Sequence, residues 1–190
     1  MPEPDDQSVA LQFYADAGPL LIELGRAMSV ALDQGHAAVL AVSRSTRKLL
    51  EDQLEKRGIG VDAVRNRGQY VVLDGDETLS RITVNGQPDS RLFDEVVGAT
   101  AEQLTKAYPG VWMYGEFAAL LWQRGNEPGA LQLDRLWASL AETHPVVLSV
   151  AFPVAALSLP MVIEAIAAQI RTLAQGSSIA LAVHRGPKQR

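Results

Sequence analysis

The sequence predicts an α/β protein, a three-layer sandwich in which helices cover both faces of a central, mainly parallel sheet of about five strands. Short apolar runs alternate with segments of helical periodicity along the chain. The apolar runs are nearly uninterrupted, as in strands that are buried on both faces. Strands that alternate with helices are joined by right-handed crossovers, so the strands of such a sheet run parallel.

Five segments are predicted to be strands, at residues 37–42, 70–73, 111–114, 146–152 and 179–183. Helical periodicity fills the intervals, from a first helix at about 18–34 to a last long helix that includes residues 162–173. Asp89 and Asn126 precede helical segments and are predicted to cap them. Asn85-Gly86 predicts a turn. No boundary divides the chain, so residues 1–190 are expected to form one domain.

Composition limits the possible functions. The chain has 190 residues, of which 47% are hydrophobic, and a formal net charge of −5, which argues against a nucleic-acid surface. Because it has no cysteine, it has neither disulfides nor thiolate metal sites. The start is acidic and no apolar stretch is long enough to cross a bilayer. We therefore expect a cytoplasmic protein without membrane contact, and we predict no cofactor.

One edge of the predicted sheet is the expected ligand site, because parallel sheets bind ligands outside the carboxyl ends of their strands. The residues at these ends are Ser43, Arg44, Asp74, Glu116 and Phe152-Pro153. We predict that they lie on one rim of the sheet.

The turn after residues 37–42 is interpreted as the first strand-to-helix turn, where a nucleotide-binding protein carries a glycine-rich phosphate loop. This turn contains no glycine. Ser43 and Thr46 are therefore predicted to be helix-capping hydroxyls. Arg44 and Arg47 remain able to contact an anion.

Two carboxylates leave alternatives open. Asp74 follows an apolar run, as do aspartates that bind magnesium in phosphate-transfer enzymes, but an aspartate before glycine is also common turn chemistry. Glu116 lies between a strand and a helix, where it could act as a general base or bind a ligand donor. It could equally complement the dipole of the helix that follows it, and this interpretation is favoured.

Aromatic and histidine residues give weaker signals. Trp112 is a candidate for an aromatic pocket, whereas Trp122 and Trp137 have helical spacing and are predicted to lie in the core. The three histidines lack the spacing of a metal site.

Five sequence blocks follow one another along the chain. They are Gln12-Phe13-Tyr14-Ala15-Asp16, Tyr70-Val71-Val72-Leu73-Asp74, Gly86-Gln87-Pro88-Asp89, Gly115-Glu116 through Leu120-Leu121-Trp122 to Gly125-Asn126, and Leu133-Asp134-Arg135-Leu136-Trp137. In this order they resemble the MEDS domain, the sensory domain of methanogen and methylotroph regulators. The resemblance covers about residues 9–153. It implies a RecA-like, clock-ATPase-like core that is used for sensing, usually without an intact phosphate loop.

This sequence differs from the family pattern at several positions that are usually polar in the family or, in one case, methionine. The residues found there are Val9, Thr46, Trp112, Phe117, Ala138, Val150 and Phe152. If these positions surround the family's ligand site, the resemblance implies that this protein binds a less polar ligand than its relatives, or none.

The favoured hypothesis is a non-catalytic sensory domain that binds a small molecule or a regulatory protein. The candidate ligand-binding residues are Phe13, Tyr14, Ser43, Arg44, Asp74, Trp112, Glu116 and Phe152. No output segment is recognised in the chain, so a homodimer or a complex with a separate regulator is expected.

Two alternatives remain. One is a nucleotide-binding or hydrolysing enzyme with Glu116 as the base and Asp74 on magnesium. The other is a purely structural interaction module whose site is filled by Trp112, Phe117 and Phe152.

Overall fold

The structure, a computed structural model, describes residues 8–14, 16–153 and 178–184, with side chains at Tyr14 and residues 16–151. The strands are β1 (Ser8–Tyr14), β2 (Ala37–Val42), β3 (Tyr70–Asp74), β4 (Thr83–Val84), β5 (Gln87–Pro88), β6 (Val111–Gly115), β7 (Val146–Pro153) and β8 (Ser178–His184). The helices are α1 (Ala17–Asp33), α2 (Arg44–Glu55), α3 (Val61–Asn66), α4 (Gly75–Ile82), α5 (Ser90–Phe93), α6 (Ala99–Ala107), α7 (Phe117–Gln123) and α8 (Glu127–Thr143). Asp94–Gly98 forms a π-helical segment between α5 and α6.

Six parallel strands in the described ranges form one sheet, in the order β3-β2-β6-β7-β1-β8. The predicted α/β class is confirmed, with one strand more than the expected number of about five. The additional strand is β1, which lies between β7 and β8. Its apolar run is interrupted by Gln12, so its sequence lacks the long apolar pattern that identified the other strands.

The position of β1 corrects the interpretation of the turns. The first strand-to-helix turn joins β1 to α1, and the turn at Ser43 is the second. In the first turn the Asp16 carboxylate caps α1 by accepting a hydrogen bond from the Gly18 amide at 2.9 Å. The absence of glycine from the turn at Ser43 is therefore a property of the second strand-to-helix turn and not of the first.

Helices cover both faces of the sheet. The α1 face packs against α1, α2 and α3, and its buried side chains include Leu24, Leu40, Leu54, Val64 and Tyr114. The α8 face packs against α4 to α8, and its buried side chains include Val39, Leu79, Phe93, Leu104, Phe117, Trp137 and Leu148. This arrangement is the predicted three-layer sandwich.

Several local predictions are confirmed. The first helix, expected at about 18–34, is α1, and the predicted caps form where Asp89 accepts from the Leu92 amide and Asn126 accepts from the Gly129 amide, each at 3.0 Å. Asn85 and Gly86 form the turn between β4 and β5 with φ values of 51° and 80°. The predicted helix at 162–173 lies outside the described residues.

The helices of the described ranges are all too short or too polar to cross a lipid bilayer.

Gly25 allows α1 and α2 to pack closely. A Cβ atom built on Gly25 would lie 2.7 Å from the Cβ atom of Gln53, and a Cβ atom cannot rotate away. Gly98 has helical backbone dihedrals, and a Cβ atom built there would make an ordinary 3.6 Å contact with Asp94.

We expect Gly25→Ala to lower the free energy of unfolding by about 1–3 kcal/mol, because the two helices must separate. Gly98→Ala is the matched control and should raise stability by up to about 1 kcal/mol, because alanine favours the helix. Urea unfolding midpoints measure both effects. Equal changes in the two variants would contradict a close contact between α1 and α2.

Candidate functional site

The candidate site lies where β2 and β6 end beside each other. The helix that follows β2 covers the α1 face, whereas the helix that follows β6 covers the α8 face. The two connections therefore leave the sheet in opposite directions, the arrangement in which parallel sheets bind ligands, and we refer to the place where the two turns meet as the crevice. Ser43 follows β2 and Glu116 follows β6 at this point.

Glu116 is a buried acid that joins the two turns. The residue is only 8% exposed. Its Oε1 atom accepts a hydrogen bond from the Ser43 amide at 2.5 Å. The Glu116 amide in turn donates to the Ala41 carbonyl at 3.0 Å. Backbone and side chain of one residue thus fix the β6–α7 turn against the end of β2.

The environment changes the acidity of Glu116. Burial raises its pKa above the ordinary value of 4.5, because a charged carboxylate loses its hydration. Hydrogen bonds from the Ser43 amide and from the Ser43 and Thr46 hydroxyls oppose this shift, because they stabilise the charged form. The effect of burial is the larger.

Two tyrosines flank this acid. Burial and the negative charge of Glu116 raise the pKa of the half-buried Tyr14 phenol. The pKa of Tyr114, which is fully buried, is raised by burial and by the neighbouring Glu116 and Tyr14. We refer to Tyr14, Ser43, Thr46, Tyr114 and Glu116 as the Glu116 cluster.

Tyr114 is a member of this cluster that the candidate residues did not include. Side chains alternate between the two faces of a strand, so Trp112 and Tyr114 share a face of β6. Their rings stack on the α1 face, with centroids 6.4 Å apart and planes 13° apart. The alternation was visible in the sequence and could have identified Tyr114.

The predicted capping role of Ser43 is confirmed. Its Oγ atom accepts a hydrogen bond from the Thr46 amide at 3.3 Å at the start of α2. The Thr46 hydroxyl lies 3.2 Å from Ser43 Oγ and contributes to the environment of Glu116 instead of capping the helix itself.

The two arginines near this turn differ in their contacts. Arg44 is exposed on the first turn of α2. Arg47 donates through Nε to Glu51 at 2.8 Å, and Arg65 donates to the same carboxylate oxygen at 2.7 Å. Arg47 therefore holds Glu51 through one of its donors, and a contact of Arg44 or Arg47 with an anion stays a prediction.

Asp74 acts as a helix cap. Its Oδ1 atom accepts hydrogen bonds from the amides of Asp76, at 3.1 Å, and Glu77, at 3.2 Å, at the start of α4. This is the turn chemistry that was one of its two interpretations. Within the described ranges, no three histidine, aspartate or glutamate residues are grouped as a metal site.

Glu116 lies at the amino end of two helices, one more than the favoured interpretation named. It occupies the N-cap position of α7, as that interpretation requires, but makes no side-chain hydrogen bond to that helix. Its carboxyl group contacts the amino end of α2 instead. It thus complements the dipole of a neighbouring helix.

Phe13 and Phe152 occupy paired positions on β1 and β7, one residue before the carboxyl end of each strand. Their side chains lie outside the described part of the structure. Trp137 is 1% exposed and Trp122 is partly buried against the α8-face core, as predicted.

The positions at which the sequence departs from the family pattern do not surround a common point. The sheet separates Trp112, on the α1 face, from Phe117 and Val150, on the α8 face. Ala138 is partly buried on α8, whereas Thr46 belongs to the Glu116 cluster. The expectation of a less polar ligand therefore cannot rest on these positions as a group.

Comparison with known families agrees with the resemblance in the sequence. A family model described as MEDS, the MEthanogen/methylotroph, DcmR Sensory domain, matches residues 10–168, which is well over half of the chain. No curated protein matches the chain. The matched range includes most of β1, all of β2 to β7 and every residue of the Glu116 cluster.

The raised pKa of Glu116 gives an expected pH dependence. A raised pKa means that the folded protein binds the proton more tightly than the unfolded chain does. The stability from this group is therefore complete below pH 4.5 and is lost as the pH rises through the pKa of the folded state. Glu116→Gln carries no titrating group at this position.

We expect the melting temperature of the wild type to fall relative to that of Glu116→Gln as the pH rises above 4.5. Glu102→Gln is the control, because Lys106 lowers the pKa of that exposed carboxyl, whose contribution to stability is lost only as the pH falls below 4.5. The curves of Glu102→Gln and the wild type should therefore stay parallel above pH 4.5, and thermal melts at increasing pH measure both outcomes. Parallel curves for the wild type and Glu116→Gln would show that burial does not perturb Glu116.

Proposed function

This chain belongs to the MEDS family of sensory domains, and from this membership we propose that it is a non-catalytic cytoplasmic sensor. In this proposal it binds a small molecule or a regulatory protein at the carboxyl edge of β2 and β6. The observation that carries the proposal is the buried Glu116 carboxyl, which contacts the amino end of α2 across the crevice.

Glu116 gives the crevice a way to report occupancy. A ligand that donates a hydrogen bond to this carboxyl, or changes its protonation, alters the bond that the carboxyl accepts from Ser43. Because Ser43 caps α2, the change reaches the first turn of that helix. A ligand shifts such an equilibrium only by its difference in affinity for the two arrangements.

The same contact argues against nucleotide chemistry. The amino end of a helix is a natural site for a phosphate, because its free amides and its dipole attract anions. At α2 this position is occupied by the Glu116 carboxyl. A polyphosphate would meet an acid there, and Asp74 is already engaged as the cap of α4.

In this proposal the domain transmits its signal by associating with another protein chain. A sensor without chemistry of its own passes on its state by binding a second copy of the chain or a separate regulator. The proposal includes no direct contact with nucleic acid, in keeping with the net charge of −5.

The sensor proposal predicts ligands whose binding depends on Glu116. We expect native mass spectrometry of freshly purified protein, or a thermal-shift screen of neutral, cationic and anionic metabolites, to find a compound that stabilises the wild type. Glu116→Ala should abolish most of the shift, because the compound loses its contact with the carboxyl.

Glu102→Gln is the matched control, since it changes a carboxylate on the exposed surface of α6. It should leave the shift intact. Compounds that stabilise Glu116→Ala as strongly as the wild type would argue against a site at Glu116. A screen with neither a shift nor a co-purified molecule would favour a purely structural module.

The enzyme alternative has its own test. A nucleotide present at one hundred times its dissociation constant stabilises a fold by about 2.7 kcal/mol. We expect millimolar Mg-ATP to leave the melting temperature unchanged relative to magnesium alone. A rise that disappears in both Asp74→Asn and Glu116→Gln would support the nucleotide-binding alternative.

A further inference from the structure

Two buried polar groups on the α1 face have no hydrogen-bond partner. Among the described residues, the Trp112 Nε1 atom and the Ser149 Oγ atom are both fully buried and unpaired. Trp112 is 3% exposed and Ser149 is 0% exposed. Buried groups of this kind are usually paired, and an unpaired one lowers stability because it has lost its hydrogen bonds to water.

The strand register places the two residues on neighbouring strands. Ser149 pairs with Tyr114 across β6 and β7, and Trp112 pairs with Val147, two residues before Ser149. Val147 and Ala151 belong to the α1-face core, so the alternation of β7 points Ser149 to the same face as Trp112. The two groups therefore lie on adjacent strands of one face.

Helix α1 covers this part of the sheet. It leaves β1 and returns at β2, so its crossover passes over β7 and β6. Its buried side chains, including Leu20, Leu24 and Met28, form the other wall of the α1-face core. Trp112 and Tyr114 on β6, and Glu116 just after the strand, lead from this region to the crevice.

We propose that Trp112 and Ser149 form a ligand subsite beneath α1, and that its ligand is a small neutral molecule with an apolar body and a hydrogen-bond acceptor such as a carbonyl oxygen. This inference rests on the proposed sensory function and specifies the chemical class of the ligand.

The hydrogen-bonding capacity of Trp112 and Ser149 determines that the ligand must carry an acceptor. An indole N–H can only donate, so a ligand that pairs with Trp112 must accept. A serine hydroxyl both donates and accepts, and it can bond to the same oxygen or to a neighbouring polar atom.

The charges of the buried residues determine that the ligand of this subsite is neutral. Among the buried residues described, Glu116 is the one aspartate, glutamate, lysine or arginine. No buried base is present in that set to pair with an anionic ligand, and burying an unpaired charge is strongly unfavourable. The remaining wall is apolar, as Val147, Ala151 and the leucines of α1 show.

The indole proton of Trp112 reports directly on this subsite. The chain has three tryptophans, so a ¹H–¹⁵N spectrum of the full chain contains three indole signals, which Trp112→Phe, Trp122→Phe and Trp137→Phe assign. The probes are acetophenone and the smaller 2-butanone, which carry a neutral acceptor. Toluene, which has no acceptor, and benzoate, which is charged, are the comparison compounds.

We expect at least one of the two ketones to move the Trp112 indole proton downfield with saturation, while toluene and benzoate do not. Ser149→Ala should raise the dissociation constant of that ketone about three- to tenfold, the loss of one hydrogen bond. Ser139→Ala, on the exposed side of α8, is the control and should not change it. Trp137 provides a second control, because its Nε1 is also buried and unpaired but lies on the α8 face.

Three results of the ketone experiment would overturn the inference. They are a Trp112 signal that neither ketone moves, a signal that toluene moves as much as the ketones do, and a cross-peak from a bound water to this indole that persists at saturating ketone. The last result would show that the site holds water only.

The two proposals fail separately. A screened metabolite that stabilises the wild type but not Glu116→Ala, and leaves the Trp112 indole unmoved, supports the sensor proposal and refutes the subsite. The sensor proposal is judged by the dependence on Glu116, and the subsite by the indole signal.

Discussion

The hydrogen bond from the Ser43 amide to the buried Glu116 carboxyl is the interaction on which the site depends. A carboxylate that leaves water loses its hydration, and its burial is tolerated when hydrogen bonds replace that hydration. Here the replacement comes from the Ser43 amide and from the hydroxyls of Ser43 and Thr46. The amide lies at the amino end of the 12-residue helix α2, where the helix dipole favours negative charge.

The order of the strands makes this interaction possible. Because β2 and β6 are neighbours whose helices cover opposite faces, the turns that follow them meet without a helix between them. The turn after β3 closes against the same place. A Cβ atom on Gly75 would lie 3.2 Å from the Val42 carbonyl oxygen and 3.4 Å from the Ser43 nitrogen. The ends of β2, β3 and β6 are therefore packed around the Ser43 amide.

The sequence predicted those parts of the fold that depend on local pattern. Nearly continuous apolar runs identified β2, β6 and β7, because strands buried on both faces have few polar positions. Strand β1 was missed because Gln12 divides its apolar residues into two short groups. The π-helical segment at Asp94–Gly98 was not predicted either, since its helical periodicity differs little from that of the flanking helices.

The candidate site was predictable only in part. The carboxyl-edge rule placed Ser43, Asp74 and Glu116 on one rim, because parallel strands bring their ends together. The partner of the Glu116 carboxyl could not be inferred, since Ser43 is 73 residues away and the pairing depends on the strand order. The unpaired state of Ser149 was equally inaccessible, because hydrogen-bond satisfaction is a property of the packed structure.

Hydrogen exchange of the Ser43 amide tests the central claim most directly. If this amide donates to the buried Glu116 carboxyl, it exchanges slowly in the wild type although it lies at the start of a helix, where amides have no helical partner. Glu116→Ala should make it exchange much faster, while the amide of residue 116, which donates to the Ala41 carbonyl, stays protected. Fast exchange of Ser43 in the wild type, or the same slow rate in Glu116→Ala, would contradict the account.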